Sequence, residues 1–157
     1  MRRGRAESYF PEIPGSPPSL SAEVSRKVRF EELDPLGIVW HGRYPSYMED
    51  GRVAFGEKYG LSYMLMRREK FVAPIVQMHI DYLSPLRFDD EFTIEAQLMW
   101  SEAVRLNFVY TLTGPEGQPV AKGYTVQLLT NLDQEILLSR PDFVQELCEK
   151  WERGELS

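Results

Sequence analysis

Phe30 to Tyr44, FEELDPLGIVWHGRY, packs acids, a turn and the approach to a helix into one short stretch. Asp34, Pro35 and Gly37 suit the first, second and fourth positions of a type I turn. On that basis alone Asp34 is a turn residue bonding its own backbone. The chain then runs through Ile38, Val39, Trp40, His41 and Gly42 towards a helix. Free N–H groups at a helix start carry partial positive charge and can hold a developing oxyanion. A carboxylate on the far side of a tight turn can face the same spot. An acid beside an oxyanion site is the minimum machinery for cleaving an acyl bond.

The surrounding pattern supplies elements to position these groups. Val24, Val28 and Phe30 fall on one side of a short strand, with Ser25, Lys27 and Arg29 on the other. From Pro45 to Tyr59, Met48, Gly51 and Phe55 recur at helical spacing. Pro45 suits a first helical turn and Gly60 a left-handed helix end. A short helical turn, Leu61 to Arg68, is expected next. Val72, Pro74, Val76, Met78, Ile80 and Tyr82 alternate as one long strand, with Pro74 near its start. Two further strands follow, Phe92 to Trp100 and Val104 to Leu112, then the turn TGPEGQ and a last strand from Val120 to Thr130. Ser139 is placed to cap a closing helix that carries Pro141 in its first turn. Phe143, Val144, Leu147, Cys148 and Trp151 form the buried stripe of that helix. A single amphipathic helix and an apolar sheet face cover one another best when the sheet curls round the helix. Such a sheet keeps an exposed edge, and pairing it with a second copy predicts a homo-oligomer.

The 157 residues suit a single domain over 21–157, preceded by a Pro-rich arm, 1–20, expected to be flexible or loosely docked. Twenty-four acids against 18 bases give a net charge of −6, which disfavours a general nucleic-acid binder. No apolar run approaches the roughly 18–20 residues that span a bilayer. The basic start lacks the apolar middle of a signal peptide, so a cytoplasmic location is expected. Cys148 is the only cysteine, which excludes an internal disulfide.

The run F-x-E-x-D-P-x-G-I-V-W-H-x-x-Y-x-x-Y-x-E-x-x-R, from Phe30 to Arg52, resembles the 4-hydroxybenzoyl-CoA thioesterase group, including the acyl-CoA thioesterases related to the Tol–Pal-associated one. The later APIVQMHIDY resembles the group's second strand. The resemblance implies an α+β hotdog fold: five antiparallel strands around one long helix, paired into dimers and often tetramers. It implies hydrolysis of an acyl-CoA thioester without metal or organic cofactor. Asp34 matches the catalytic aspartate, which attacks the carbonyl or activates a water. The backbone N–H at His41 matches the group that polarises the carbonyl oxygen. Glu49 matches a recurrent acid on the helix and is the alternative carboxylate, with an ion pair to Arg52 as its structural alternative. Gly37, Val39, Trp40, Tyr44, Tyr47 and Met48, with Pro74, Ile75 and Val76, are the candidate substrate-lining residues. Tyr44, Tyr47, Met48 and Phe55 also read as core.

Glu32 can act on Asp34 by like-charge repulsion or sit as a solvated acid. His79 reads as a satisfied structural histidine, and Cys148, without a neighbouring base, as inert. The group's basic run for the CoA phosphates is reduced here to Arg105 in WSEAVR. Arg67, Arg68 and Lys70, or Arg87 and Lys122, are the alternatives. An acidic acyl carrier protein would be repelled by a chain of net charge −6, which favours CoA. A dehydratase would need a His-centred site. A non-catalytic acyl-CoA-binding protein would not need Asp34.

Overall fold

A computed structural model describes residues 8–156. The elements run β1 (Leu20–Lys27), α1 (Tyr44–Tyr59), α2 (Tyr63–Arg68), β2 (Phe71–Val72), β3 (Ile75–Tyr82), β4 (Glu91–Met99), β5 (Arg105–Thr113), β6 (Pro119–Leu128), β7 (Thr130–Asn131) and α3 (Asp142–Glu152). Five strands form one antiparallel sheet in the order β1-β4-β5-β6-β3. The chain therefore crosses from β1 at one edge to β3 at the other before filling the middle. That crossing carries α1 over the inner face, where the core lies.

The helix packs by its apolar stripe. Tyr44, Tyr47, Met48, Gly51 and Phe55 are all buried, at the three- and four-residue spacing of one helix face. A Cβ on Gly51 would lie 2.9 Å from the Ile94 side chain, so the missing side chain lets the helix approach β4 closely. The strands answer with period two. Phe92, Ile94, Ala96 and Leu98 of β4 point inward and are buried, while the residues between them are more open. Phe55, wholly buried against Phe108 at 5.0 Å, typifies the result. Truncating such a side chain costs about 3–5 kcal/mol.

Several boundaries differ from the sequence expectation. The long strand expected from Val72 is broken: β2 pairs with β7, and β3 begins only at Ile75. Pro74 cannot donate to a ladder, which is why the break falls there. The last expected strand likewise divides into β6 and β7. Ser139 does not cap α3; the N-cap is Pro141, with no side-chain hydrogen bond, and the first helical residue is Asp142. Trp151 of α3 instead ties the helix to the arm, donating to the Pro18 carbonyl at 2.7 Å.

Of the N-terminal arm, residues 1–7 lie outside the described residues. Within the rest of the arm, Ser8 and Pro11 to Gly15 are exposed, and contacts with the sheet come from Tyr9 and Phe10. Tyr9 and Phe10 pack on Tyr124 of β6, and the Tyr9 hydroxyl donates to Asp81 of β3 at 2.6 Å. The reason lies in the outer face of the sheet. It is polar on β1 and β4 but carries Val109, Tyr124 and Val126 on β5 and β6. Both valines are buried. Aromatic residues of the arm lie over this apolar half. Among the described residues, no helix is long and apolar enough to cross a membrane.

Candidate active site

The DPLG turn is the tip of a miniature hairpin. Leu33 bridges Val39, the Asp34 N–H donates to the Ile38 carbonyl at 2.9 Å, and the Gly37 N–H donates to the Asp34 carbonyl at 3.0 Å. Gly37 has φ +75°, a left-handed conformation that closes this kind of three-residue loop. The hairpin is anchored to the body where the Val39 N–H donates to the Leu86 carbonyl at 2.9 Å. Asp34 itself is half-buried. Its Oδ1 accepts the Leu36 N–H at 2.8 Å, which leaves Oδ2 without a partner among the described residues.

Beyond the hairpin, His41–Arg43 form a 3-10 turn that runs directly into α1, so the helical stretch starts three residues earlier than the α-helix proper. The N–H groups of His41 and Gly42 fall in its first turn and have no backbone partner among the described residues. The turn is fixed from behind: the Tyr82 hydroxyl donates to the His41 carbonyl at 2.8 Å. A groove of 440 Å³ runs between these pieces, lined by Asp34, Val39, His41, Tyr44 and Tyr82 among others. Asp34 thus caps its own bend and borders a cavity as well.

Tyr44 forms the buried wall of the groove, edge-on to Tyr82 at 4.9 Å. Burial, with Tyr82 adding, pushes the Tyr44 hydroxyl pKa up to about 12, so it is a neutral donor at ordinary pH. Glu32 accepts the Arg29 N–H at 2.8 Å. Burial raises the Tyr47 hydroxyl pKa, and the neighbouring Glu32 carboxylate adds to it.

The other expected residues are more dispersed. Trp40 is exposed, its ring folded over Gly42 and tilted against His41 at 5.2 Å. Tyr47 and Met48 are core residues, Met48 lying under Gly123. Glu49 is not in the groove; its carboxylate is bound by Arg52, one helical turn on. Pro74, Ile75 and Val76 are exposed at the start of β3, the opposite end of that strand from Tyr82. Within one chain they do not meet Asp34.

His79 lies exposed on the outer face, with its Nε2 3.0 Å from an Asp81 carboxylate oxygen and its ring stacked on Tyr124. Cys148 is buried in α3, where burial pushes its thiol pKa up. No group of three or more His, Cys, Asp or Glu is placed to hold a metal among the described residues. The sequence reading overlooked Tyr82 and Leu86. Tyr82, the polar-tipped end of an apolar strand, was a usable signal for the first; nothing local marked the second.

A five-stranded antiparallel sheet curled round one helix, with a closing helix, defines a hotdog fold. Comparison with known proteins fixes the family. The chain belongs to the thioesterase-like superfamily, which matches residues 28–149. The acyl-acyl carrier protein thioesterase ATL3 of Arabidopsis thaliana is 34% identical over 109 residues, 68% of this chain and 57% of the plant protein. The chain therefore spans less than two thirds of that relative. YneP of Bacillus subtilis, provisionally named an acyl-CoA thioesterase, is 30% identical over 98 residues, 60% of this chain and 71% of that protein. In structure, the DHNA-CoA thioesterase of Staphylococcus aureus superimposes with a TM-score of 0.74, covering 87% of this chain and 97% of its own at 17% identity, a likeness of fold.

Proposed function

We propose that this chain hydrolyses an acyl-CoA thioester to the free acid and CoA, with Asp34 as the catalytic carboxylate. The observation that carries the reading is the groove lined by both Asp34, with one carboxylate oxygen unshared, and His41, whose backbone N–H has no backbone partner among the described residues. The thioester carbonyl oxygen lies against that N–H, and the carbonyl carbon faces Asp34. Asp34 either attacks that carbon, forming an acyl anhydride that water then opens, or takes a proton from the attacking water. In both routes the C–S bond breaks, the thiolate leaves, and oxygen from water ends in the acid. One preorganised donor of this kind lowers such a barrier by about 2.7–4 kcal/mol. The His41 imidazole is a lining group whose backbone does the polarising. Glu49 is bound to Arg52 outside the groove and takes no part in the reaction on this reading.

The working unit is a homodimer. β3 is an edge strand whose Ile75, Val76, Met78 and Tyr82 are exposed. A long apolar edge of this kind is completed by pairing. Two-fold antiparallel pairing of two β3 strands brings the Pro74–Val76 end of one copy to the Tyr82 end of the other. Those three residues then join the partner's groove as substrate contacts. Net charge −6 favours CoA over an acidic carrier protein as the leaving group, although the plant relative is named for acyl carrier protein.

The test is release of free thiol from a panel of acyl-CoAs by wild type and Asp34→Asn. Release that disappears in the variant, while acyl-CoA binding persists, supports the reading. No release from any acyl-CoA, with binding intact, converts the protein into a carrier or sensor of acyl-CoA.

A further inference from the structure

A second cavity, of 190 Å³, lies between the later half of α1, α2 and the inner faces of β5 and β6. Phe55, Leu61, Met66 and Phe108 give it an apolar wall. Of the polar side chains in its lining, Glu57 and Tyr63 are exposed and Ser62 is half-buried, while Arg52 (8% exposed) and Gln127 (1% exposed) are buried. Arg52 is partly committed: Nε donates to the Tyr63 hydroxyl and Nη2 to Glu49, which leaves Nη1 buried without a partner among the described residues. Gln127 donates from Nε2 to the Ala73 carbonyl, which leaves Oε1 buried without one. Buried polar atoms in native proteins are normally satisfied, so one spare donor and one spare acceptor in the lining of a single cavity call for a ligand or water.

We propose that this cavity binds an apolar body of ring or short-chain size that carries one uncharged hydroxyl, held between Arg52 Nη1 and Gln127 Oε1. The size fits, since a cavity of about 150 Å³ is enough to take benzene. The polar inventory selects the functional group. A bare hydrocarbon leaves both atoms unsatisfied. A carboxylate would be buried beside an arginine whose charge Glu49 already offsets, and its oxygens would face the Gln127 oxygen. A hydroxyl accepts from the guanidinium and donates to the amide.

Two sources can supply that hydroxyl. One is the acyl group of the thioester, which rests on the function proposed above. Gln127 is the ladder partner of Ile75, so the cavity abuts the end of β3 that dimer pairing brings to the partner's groove. The other is a free small alcohol or phenol, which needs no catalysis.

The experiment uses the full chain and calorimetric titration with p-cresol, p-xylene and 4-methylbenzoate. Wild type is expected to bind p-cresol at least about tenfold more tightly than p-xylene, as sites built around a hydroxyl reject its analogue, and not to bind 4-methylbenzoate. Gln127→Leu should remove the preference, and Leu106→Phe, which fills the cavity, should abolish both ligands. Equal affinity for p-cresol and p-xylene, or no binding of either by wild type, overturns the proposal and leaves a water-filled cavity only. In a second arm, thiol release is compared for 8-hydroxyoctanoyl-CoA and octanoyl-CoA. A higher kcat/KM for the hydroxylated chain, lost in Gln127→Leu, assigns the acyl source. Cresol preference without that difference assigns the free alcohol. Cresol preference without any thiol release keeps the site and removes the hydrolase reading.

Discussion

Two concavities share α1, and they differ in what their charged groups are free to do. At the start of the helix, Asp34 is half-buried, spends one oxygen on a turn and keeps the other at an open groove. Eight residues beyond Tyr44, Arg52 is buried, and its charge is matched within the helix by Glu49. Both places combine an acid with hydrogen-bond donors. Only the first leaves a carboxylate oxygen unshared at a groove that His41, with its unpartnered N–H, also lines. In the second the carboxylate is already bound to the guanidinium, and what remains is one guanidinium N–H and one amide oxygen in an apolar wall. The difference teaches that a charged residue is available for chemistry according to what its neighbours leave unsatisfied, more than by its type.

The sharpest way to separate the two regions is Asp34→Asn. The amide oxygen can still accept the Leu36 N–H, so the hairpin and the thermal stability should survive. Turnover should fall by about 10²–10⁴, the range for removal of a positioned base. Thiol-release kinetics beside a melting curve check both halves. A loss of stability equal to the loss of activity would mean that Asp34 is a turn residue and nothing more.

Arg52→Met should do the reverse. Breaking a buried ion pair by removing one partner costs about 3–5 kcal/mol. The lower end is expected here because the stranded Glu49 is 42% exposed and can recover hydration. Denaturant unfolding reads the loss. Any remaining folded protein should keep the Asp34 groove, and an unchanged midpoint would show that the pair contributes nothing.

How far this contrast was visible beforehand depended on the range of the interactions. Helix α1, the turn at Asp34 and the alternating strands were legible because they rest on local periodicity and turn chemistry. The i,i+3 pairing of Glu49 with Arg52 was legible for the same reason. Register was not. That β3 would pair with β6, placing Ile75 against Gln127, depends on contacts far apart in the chain. Gln127 therefore reads as an ordinary polar strand residue until β3 and the inner face are assembled around it. Docking of Tyr9 and Phe10 escaped for a similar reason: the apolar half of the outer face exists only once β5 and β6 lie side by side.

Met78→Lys tests whether the groove is completed by a second copy. Met78 lies near the middle of the exposed edge strand, so pairing of two β3 strands brings the two introduced charges close together. Like charges across a pair are destabilising and edge lysines block strand addition. Self-association should weaken at least about tenfold, read by light scattering across a dilution series, with kcat/KM falling alongside it. Weaker association with full activity would place the whole groove within one chain.

The smallest effect is expected at alkaline pH, and it sharpens the groove side of the comparison. The Tyr44 pKa is raised by burial to about 12 in the folded chain, from 10.0 in its absence. A folded state that holds a proton more tightly than the unfolded state gains stability from it. That gain is fully present below pH 10 and is lost as the pH climbs towards 12. Tyr44→Phe cannot ionise, so this part of the alkaline slope should flatten in urea midpoints measured between pH 9 and 11.5, while the melting point at pH 7 shifts little. Tyr63 and Tyr110, beside the Arg52 cavity, are also raised by burial but opposed by the guanidinium. Arg52→Met should therefore delay their ionisation, followed by absorbance near 295 nm, while leaving that of Tyr44 where it was. Coupled changes in all three would show that the two concavities act as one electrostatic unit.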